Sequence, residues 1–212
     1  MKRAEAFRPA VINVGIGNID SIGRALRYLG LDFALVSDAA GLRDASHVLL
    51  PGVGAFRAGM EALAAHDLTA PLRDLAAARA VPIFGICLGM QLLGAHSEEG
   101  DCDGLNLLPY RSRRIAADGG RKVPHVGFST VTGYADAGVF AALPSCADFY
   151  FTHSYAVAEL PAGANAGTFN YGVELLAAFD AGTICGAQFH PEKSQSTGLR
   201  VLKNFFDRPD HG

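Results

Sequence analysis

Cys87 lies at the centre of Gly85-Ile86-Cys87-Leu88-Gly89, a Gly-x-Cys-x-Gly run. This is the cysteine counterpart of the Gly-x-Ser-x-Gly elbow, a sharp strand-to-helix turn that presents a nucleophile. The flanks agree with that reading. Val81 to Ile86 reads as a short buried strand, and Leu88 to Leu93 as the first turns of a helix. Such a turn places the sulfur at a helix N-terminus, where partial positive charge favours thiolate over thiol. A cysteine in an apolar run is more often a small buried hydrophobe. The paired glycines, Gly85 and Gly89, turn the reading toward a nucleophile.

A nucleophilic cysteine needs a base and a group that orients the base. Gln188-Phe189-His190-Pro191-Glu192-Lys193-Ser194 offers both. The pattern predicts a strand over Thr183–Phe189 running into His190. Pro191 ends that strand, because it has no amide hydrogen for a ladder. Glu192, two residues on, can hold one ring nitrogen of His190 while the other meets Cys87, the logic of a triad with Glu as third member. Alone, His190 and Glu192 read equally as a polar pair at a strand end; together with the Cys87 elbow each supplies what the other lacks.

Pro51-Gly52-Val53-Gly54 follows the apolar strand Val48–Leu50. A Pro-Gly-x-Gly turn at a strand end presents backbone amides with few side chains in the way. Acyl transfer through a thioester needs such donors for the oxyanion, and the amide of Leu88 would be the second. The loop also has the backbone freedom to hold its donor out of position until a partner favours the competent form. A plain connecting loop and a phosphate cradle are the other readings; the run lacks the Lys-Ser/Thr of a P-loop and the third glycine of a dinucleotide fingerprint.

The elements that must position these residues alternate in the first half of the chain. Strands are predicted at Ala10–Ile16, Phe33–Val36 and Val48–Leu50. Helices are predicted at Ser21–Leu29, capped by Ser21 and ended by Gly30, and at Ala55–Ala64 and Leu68–Arg79. The elbow strand and its helix follow. This is a doubly wound pattern, in which ligands sit beyond the carboxyl ends of the strands. The second half is richer in strands: Val123–Val131, Phe149–Tyr155, Asn165–Thr168, Leu175–Phe179 and Thr183–Phe189, closed by a helix over Thr197–Phe206. The expected fold is α/β, a central mostly parallel sheet flanked by helices, in a single domain over residues 1–212.

Composition narrows the class. At 212 residues the chain suits one domain, and half of it is apolar, which excludes a disordered or polyelectrolyte role. Net charge is −3 with no basic block, so nothing points to nucleic acid or an anionic membrane. Met1 to Pro9 has no apolar core and Ala10 to Ile16 is too short to span a bilayer, so a cytoplasmic chain without a leader is expected. Cys87, Cys102, Cys146 and Cys185 show no paired spacing, which favours free thiols and argues against a zinc site. No metal and no cofactor are expected. His125 and His153 read as structural or interface histidines rather than ligands.

Gly85-Ile86-Cys87-Leu88-Gly89-Met90-Gln91 with Gln188-Phe189-His190-Pro191-Glu192-Lys193-Ser194 resembles the class I, or triad, glutamine amidotransferases. Within them the chain looks like the glutaminase subunits of imidazole glycerol phosphate synthase. Gly15-Ile16-Gly17-Asn18-Ile19, Leu50 to Phe56, Lys122 to Gly127, Phe149 to Tyr155 and the run from His190 through Leu199 carry that closer likeness, in the family's order. The resemblance implies that Cys87 attacks the side-chain amide of L-glutamine, that His190 moves protons, and that Glu192 orients it. It places Gly52, Val53 and Leu88 at the oxyanion, and Gln91, Ser154 and Tyr155 at bound glutamine. It puts Phe128, Tyr150 and Lys193 at the face toward a partner. That partner would be a (β/α)8 barrel that uses ammonia to make imidazole glycerol phosphate and aminoimidazole carboxamide ribonucleotide in histidine biosynthesis. Phe128-Ser129 departs from the Trp-Asn common in the family, which bears on the partner. The alternatives are a glutaminase feeding a sugar-amidating synthase of surface polysaccharide, a peptidase or other cysteine hydrolase of the same fold, and a catalytically silent binding protein.

Overall fold

The computed structural model describes residues 7–79, 81–159 and 162–208. The stretch read for a leader lies, up to Ala6, outside the described residues. In chain order, β1 spans Pro9–Ile12, α1 Ile19–Tyr28, β2 Ala34–Val36, α2 Ala39–Leu42, β3 His47–Gly52, α3 Phe56–Ala65 and α4 Thr69–Ala78. The elbow is β4, Ile83–Cys87, followed at once by α5, Leu88–Leu93. Beyond it come β5 His96–Ser97, β6 Cys102–Asp103, β7 Arg111–Arg114, β8 His125–Val131, β9 Ala147–His153, β10 Tyr155–Val157, β11 Asn165–Asn170, β12 Glu174–Ala181, β13 Ile184–Ala187 and α6 Gln195–Phe206.

Seven strands form the main sheet in the order β11-β12-β13-β4-β3-β1-β2. The five from β13 to β2 run parallel; β12 and β11 join antiparallel at one edge. Parallel strands in a doubly wound sheet are covered on both faces and read as continuous apolar runs. That is why β3, β4 and β13 are buried at every position. Side chains alternate across the sheet. Leu49, Phe84 and Ile86 join one core with Ile22 and Leu26 of α1 and Val201, Leu202 and Phe205 of α6. Val48, Leu50 and Ile83 join the other with Phe56 and Leu63 of α3, Leu72 of α4 and Leu92 of α5. A smaller sheet, β10-β7-β5-β6, and the β8–β9 hairpin stand beside the main sheet.

The parallel register fixes where chemistry can occur. Gly52 of β3 pairs with Cys87 of β4, and Ala187 of β13 pairs with Ile86. The carboxyl ends of three neighbouring strands therefore open on one edge, delivering Val53, Cys87 and His190 to the same place.

Several boundaries differ from the expected ones. β1 stops at Ile12, because the chain turns away through Gly15, which has φ +81°. Asn18 rather than Ser21 caps α1, its side-chain oxygen accepting from the Ser21 amide at 3.3 Å. The strand expected over Phe149–Tyr155 is two strands: β9 pairs with β8, and past Ser154 β10 pairs with β7 in another sheet. β13 is shorter than expected, ending at Ala187.

Candidate active site

Cys87 has φ +54° and ψ −108°, a conformation that L-residues rarely adopt. Holding a non-glycine residue there costs about 1–3 kcal/mol, so the surroundings must over-determine it. The two glycines show how. A Cβ on Gly85 would lie 2.6 Å from the Met90 nitrogen, and one on Gly89 would overlap the Leu50 carbonyl oxygen. Gly52 faces the same junction, where a Cβ would meet the Gly89 nitrogen at 2.8 Å. β3, β4 and α5 thus touch backbone to backbone, and the turn has no room to relax. Cys87 is left at the N-terminus of α5, 6% exposed at the edge of a cavity.

His190 follows β13 and is fixed at both ends of its peptide. Its amide donates to the Tyr150 carbonyl at 2.8 Å and its carbonyl accepts from the Ser194 hydroxyl at 2.6 Å. Its Nδ1 donates to Glu192 Oε1 at 2.9 Å, and both side chains are almost wholly buried. Burial opposes charge on the imidazole. The Cys87 sulfur and the Glu192 carboxylate outweigh it and raise the pKa of His190 from 6.5 to about 9. Nε2 has no hydrogen bond of regular geometry among the described residues, and the Cys87 sulfur is the group close enough to act on it.

Two glutamines complete the floor. Gln91 Nε2 donates to the Tyr155 carbonyl at 3.0 Å and to Gln188 Oε1 at 2.9 Å. Gln188 Nε2 is therefore turned toward Cys87 Sγ, 3.6 Å away. Cys185, by contrast, is fully buried, its thiol pKa raised far up by desolvation, which leaves it inert.

The cavity beside Cys87 has a volume of about 280 Å³, the size class of a small metabolite. It brings together Cys87, His190, Leu88, Val53, Gln91, Ser154 and Tyr155 from the expected set. Gly52 lies beneath it, paired with Cys87. The Val53 amide is not aimed at the sulfur: it donates to the Ile16 carbonyl at 2.5 Å. Phe128, Tyr150 and Lys193 stand apart from the cavity but together. Phe128 and Tyr150 are cross-strand partners with ring centroids 5.5 Å apart, and Lys193 Nζ lies 5.8 Å over the Tyr150 ring.

Glu99 also lines the cavity and was not read from the sequence. Its Oε2 accepts from the Phe56 amide at 2.8 Å, which caps α3 from 43 residues away. An acidic pair in a glycine-ended turn soon after the nucleophile helix was the available signal. Among the described residues no group of three or more His, Cys, Asp or Glu could hold a metal ion, and no helix is long and apolar enough to cross a membrane.

Residues 10–208 match the family model for glutamine amidotransferase class-I. The chain is 46% identical over 198 residues to imidazole glycerol phosphate synthase subunit HisH of Xanthomonas axonopodis pv. citri, covering 93% of this chain and 96% of the relative. It is 42% identical over 207 residues to the HisH subunit of Moorella thermoacetica, covering 97% of each. Among solved structures, a glutamine amidotransferase superposes with a TM-score of 0.74 at 18% identity, over 93% of this chain and 97% of that one. A chain of PurLQS from Thermotoga maritima does so with a TM-score of 0.72 at 18% identity, over 95% and 98%. At these identities the superpositions speak for the fold alone, and the near full-length matches to HisH speak for more. The chain belongs to the class I glutamine amidotransferases, among the glutaminase subunits of imidazole glycerol phosphate synthase.

Proposed function

We propose that the chain hydrolyses L-glutamine through a Cys87-His190-Glu192 triad and hands the ammonia to a (β/α)8-barrel synthase partner. The observation that carries the reading is the buried His190–Glu192 pair standing beside a cysteine at a strained elbow, close enough for the sulfur to act on the ring. The thiolate attacks the side-chain amide carbon of glutamine, and the negative charge moves to the amide oxygen. The Leu88 amide, first of α5 and without a helical acceptor, donates to that oxygen. His190 gives its proton to the departing nitrogen, so ammonia leaves and a γ-glutamyl thioester remains. Neutral His190 then takes a proton from water as it adds to the thioester carbon, and glutamate leaves with Cys87 restored. Glu192 keeps Nδ1–H in place and stabilises the imidazolium. Gln91, Ser154 and Tyr155 surround the substrate, and the Glu99 carboxylate suits its α-ammonium group.

The second oxyanion donor is held back. A Val53 amide bonded to Ile16 does not reach the oxyanion, and Gly52 and Gly54 flank a peptide able to turn. A partner loaded with its own substrate would favour the turned form by population shift. Phe128, 52% exposed, together with Tyr150 and Lys193, suits the docking face. The Tyr150 carbonyl accepts the His190 amide, so that face is one hydrogen bond from the triad.

Replacing Cys87 with alanine should abolish ammonia release from glutamine, while the partner synthase supplied with free ammonia still turns over. Ammonia release that survives Cys87→Ala would remove the assignment. The raised pKa of His190 sets the pH profile. The proton is bound more tightly in the folded site, so the stabilisation of the charged ring is complete below about pH 6.5. It is lost as pH rises through about 9. kcat/KM for glutamine should therefore hold near neutrality and fall above pH 9 with the loss of the acid; a fall centred near 6.5 contradicts this. The isolated chain at saturating glutamine should be slow and should accelerate when the loaded partner is added. Full speed without a partner refutes the gate.

A further inference from the structure

His125 and His153 are buried, hydrogen-bonded to each other, and unused by the triad. They are cross-strand partners on β8 and β9. The geometry leaves one arrangement of hydrogens. His153 Nδ1 lies 2.8 Å from the Tyr155 carbonyl oxygen, which only accepts, so Nδ1 carries the hydrogen. In a neutral ring His153 Nε2 is then an acceptor, and His125 Nδ1, 3.1 Å away, must donate to it. His125 Nε2 is the next acceptor, and the Ser129 hydroxyl, 3.0 Å away, donates.

Neutral rings are what the surroundings dictate. His125 packs against Phe151, Phe169 and Tyr171, with ring centroids 5.1, 5.4 and 4.1 Å distant, and burial lowers its pKa. Burial lowers that of His153 to about 4; the Tyr155 carbonyl opposes the shift and His125 and His190 add to it.

The inner end of this chain is the Tyr155 carbonyl, which also receives Gln91 Nε2. From there the contacts run through Gln188 to Cys87 Sγ. The outer end is Ser129, next to exposed Phe128. We propose that Ser129, His125 and His153 form a positioning chain that sets Tyr155 and Gln91 in the glutamine cavity from the strand carrying Phe128. The proposal rests on the glutaminase reading. His153 itself borders the cavity, but none of the three donates to substrate through this chain; they act by holding Tyr155 and, through its carbonyl, Gln91. A partner seated on Phe128 presses on the strand that bears the outer donor, which gives that face a route to glutamine binding distinct from the Val53 loop.

The test uses the chain together with its synthase partner. Ser129→Ala should raise KM for glutamine about fivefold, the value of one net hydrogen bond, with kcat unchanged. Ser129→Asn, whose amide also donates, should restore KM. In wild-type protein at pH 7, nitrogen-15 imidazole spectra should show His125 and His153 neutral and protonated on Nδ1. An unchanged KM in Ser129→Ala, or either ring charged or protonated on Nε2 in the wild type, overturns the proposal. These outcomes are separable from failure of the triad. Ammonia release surviving Cys87→Ala removes the glutaminase reading, whereas the ring hydrogens are read without turnover.

Discussion

The backbone of Cys87 is the constraint on which the rest depends. A residue at φ +54° and ψ −108° returns to an ordinary conformation unless its neighbours forbid it. Here β3 and β4 lie in register, α5 starts on the next residue, and Gly52, Gly85 and Gly89 let the three backbones meet. Two apolar cores clamp the junction from either face, one through Phe84, Ile86 and Leu49, the other through Leu50, Met90 and Leu92. The strain is thus offset by the packing of apolar side chains that take no part in the chemistry.

Charge is distributed around the sulfur with the same economy. His190 is buried, and its protonated form is favoured only because Cys87 and Glu192 stand beside it. A second cation next to it would undo that balance. His153, close enough to be affected by His190, is kept neutral by burial, and its two nitrogens are matched to the Tyr155 carbonyl and His125. Gln188 presents a donor to the sulfur without adding charge. One imidazole with its carboxylate, and neutral dipoles around them, are what the sulfur meets.

Where chemistry and fold are local in sequence, they were legible. The elbow, the strand before it and the helix after it follow from one continuous run, Val81 to Leu93. Parallel β3, β4 and β13 follow from short apolar runs, although β3 continues through Pro51 and Gly52, which read as a turn. What was hidden depends on distant pairing. β5, β6 and β7 are two to four residues long, and Arg111-Ser112-Arg113-Arg114 has no apolar alternation to announce a strand. Ser154 interrupts a continuous β-like run because the chain changes sheets there, which depends on β7 and not on local propensity. Asn18 displaced Ser21 as cap because β1 ends early and α1 starts sooner. Glu99 gained its place from Phe56, far away in sequence. The Val53 amide bonded to Ile16 joins two glycine-rich loops whose proximity comes from β1 lying next to β3.

The central claim is that the strained thiol of Cys87 becomes covalently bonded to substrate. Rapid acid quenching of the chain during glutamine turnover, with its loaded partner present, followed by peptide mapping, tests this directly. A γ-glutamyl thioester on the peptide that carries Cys87, absent without glutamine, is the expected result. Glutamine hydrolysis that proceeds while Cys87 stays unmodified at every quench time, or an adduct on Cys102, Cys146 or Cys185 instead, would contradict it.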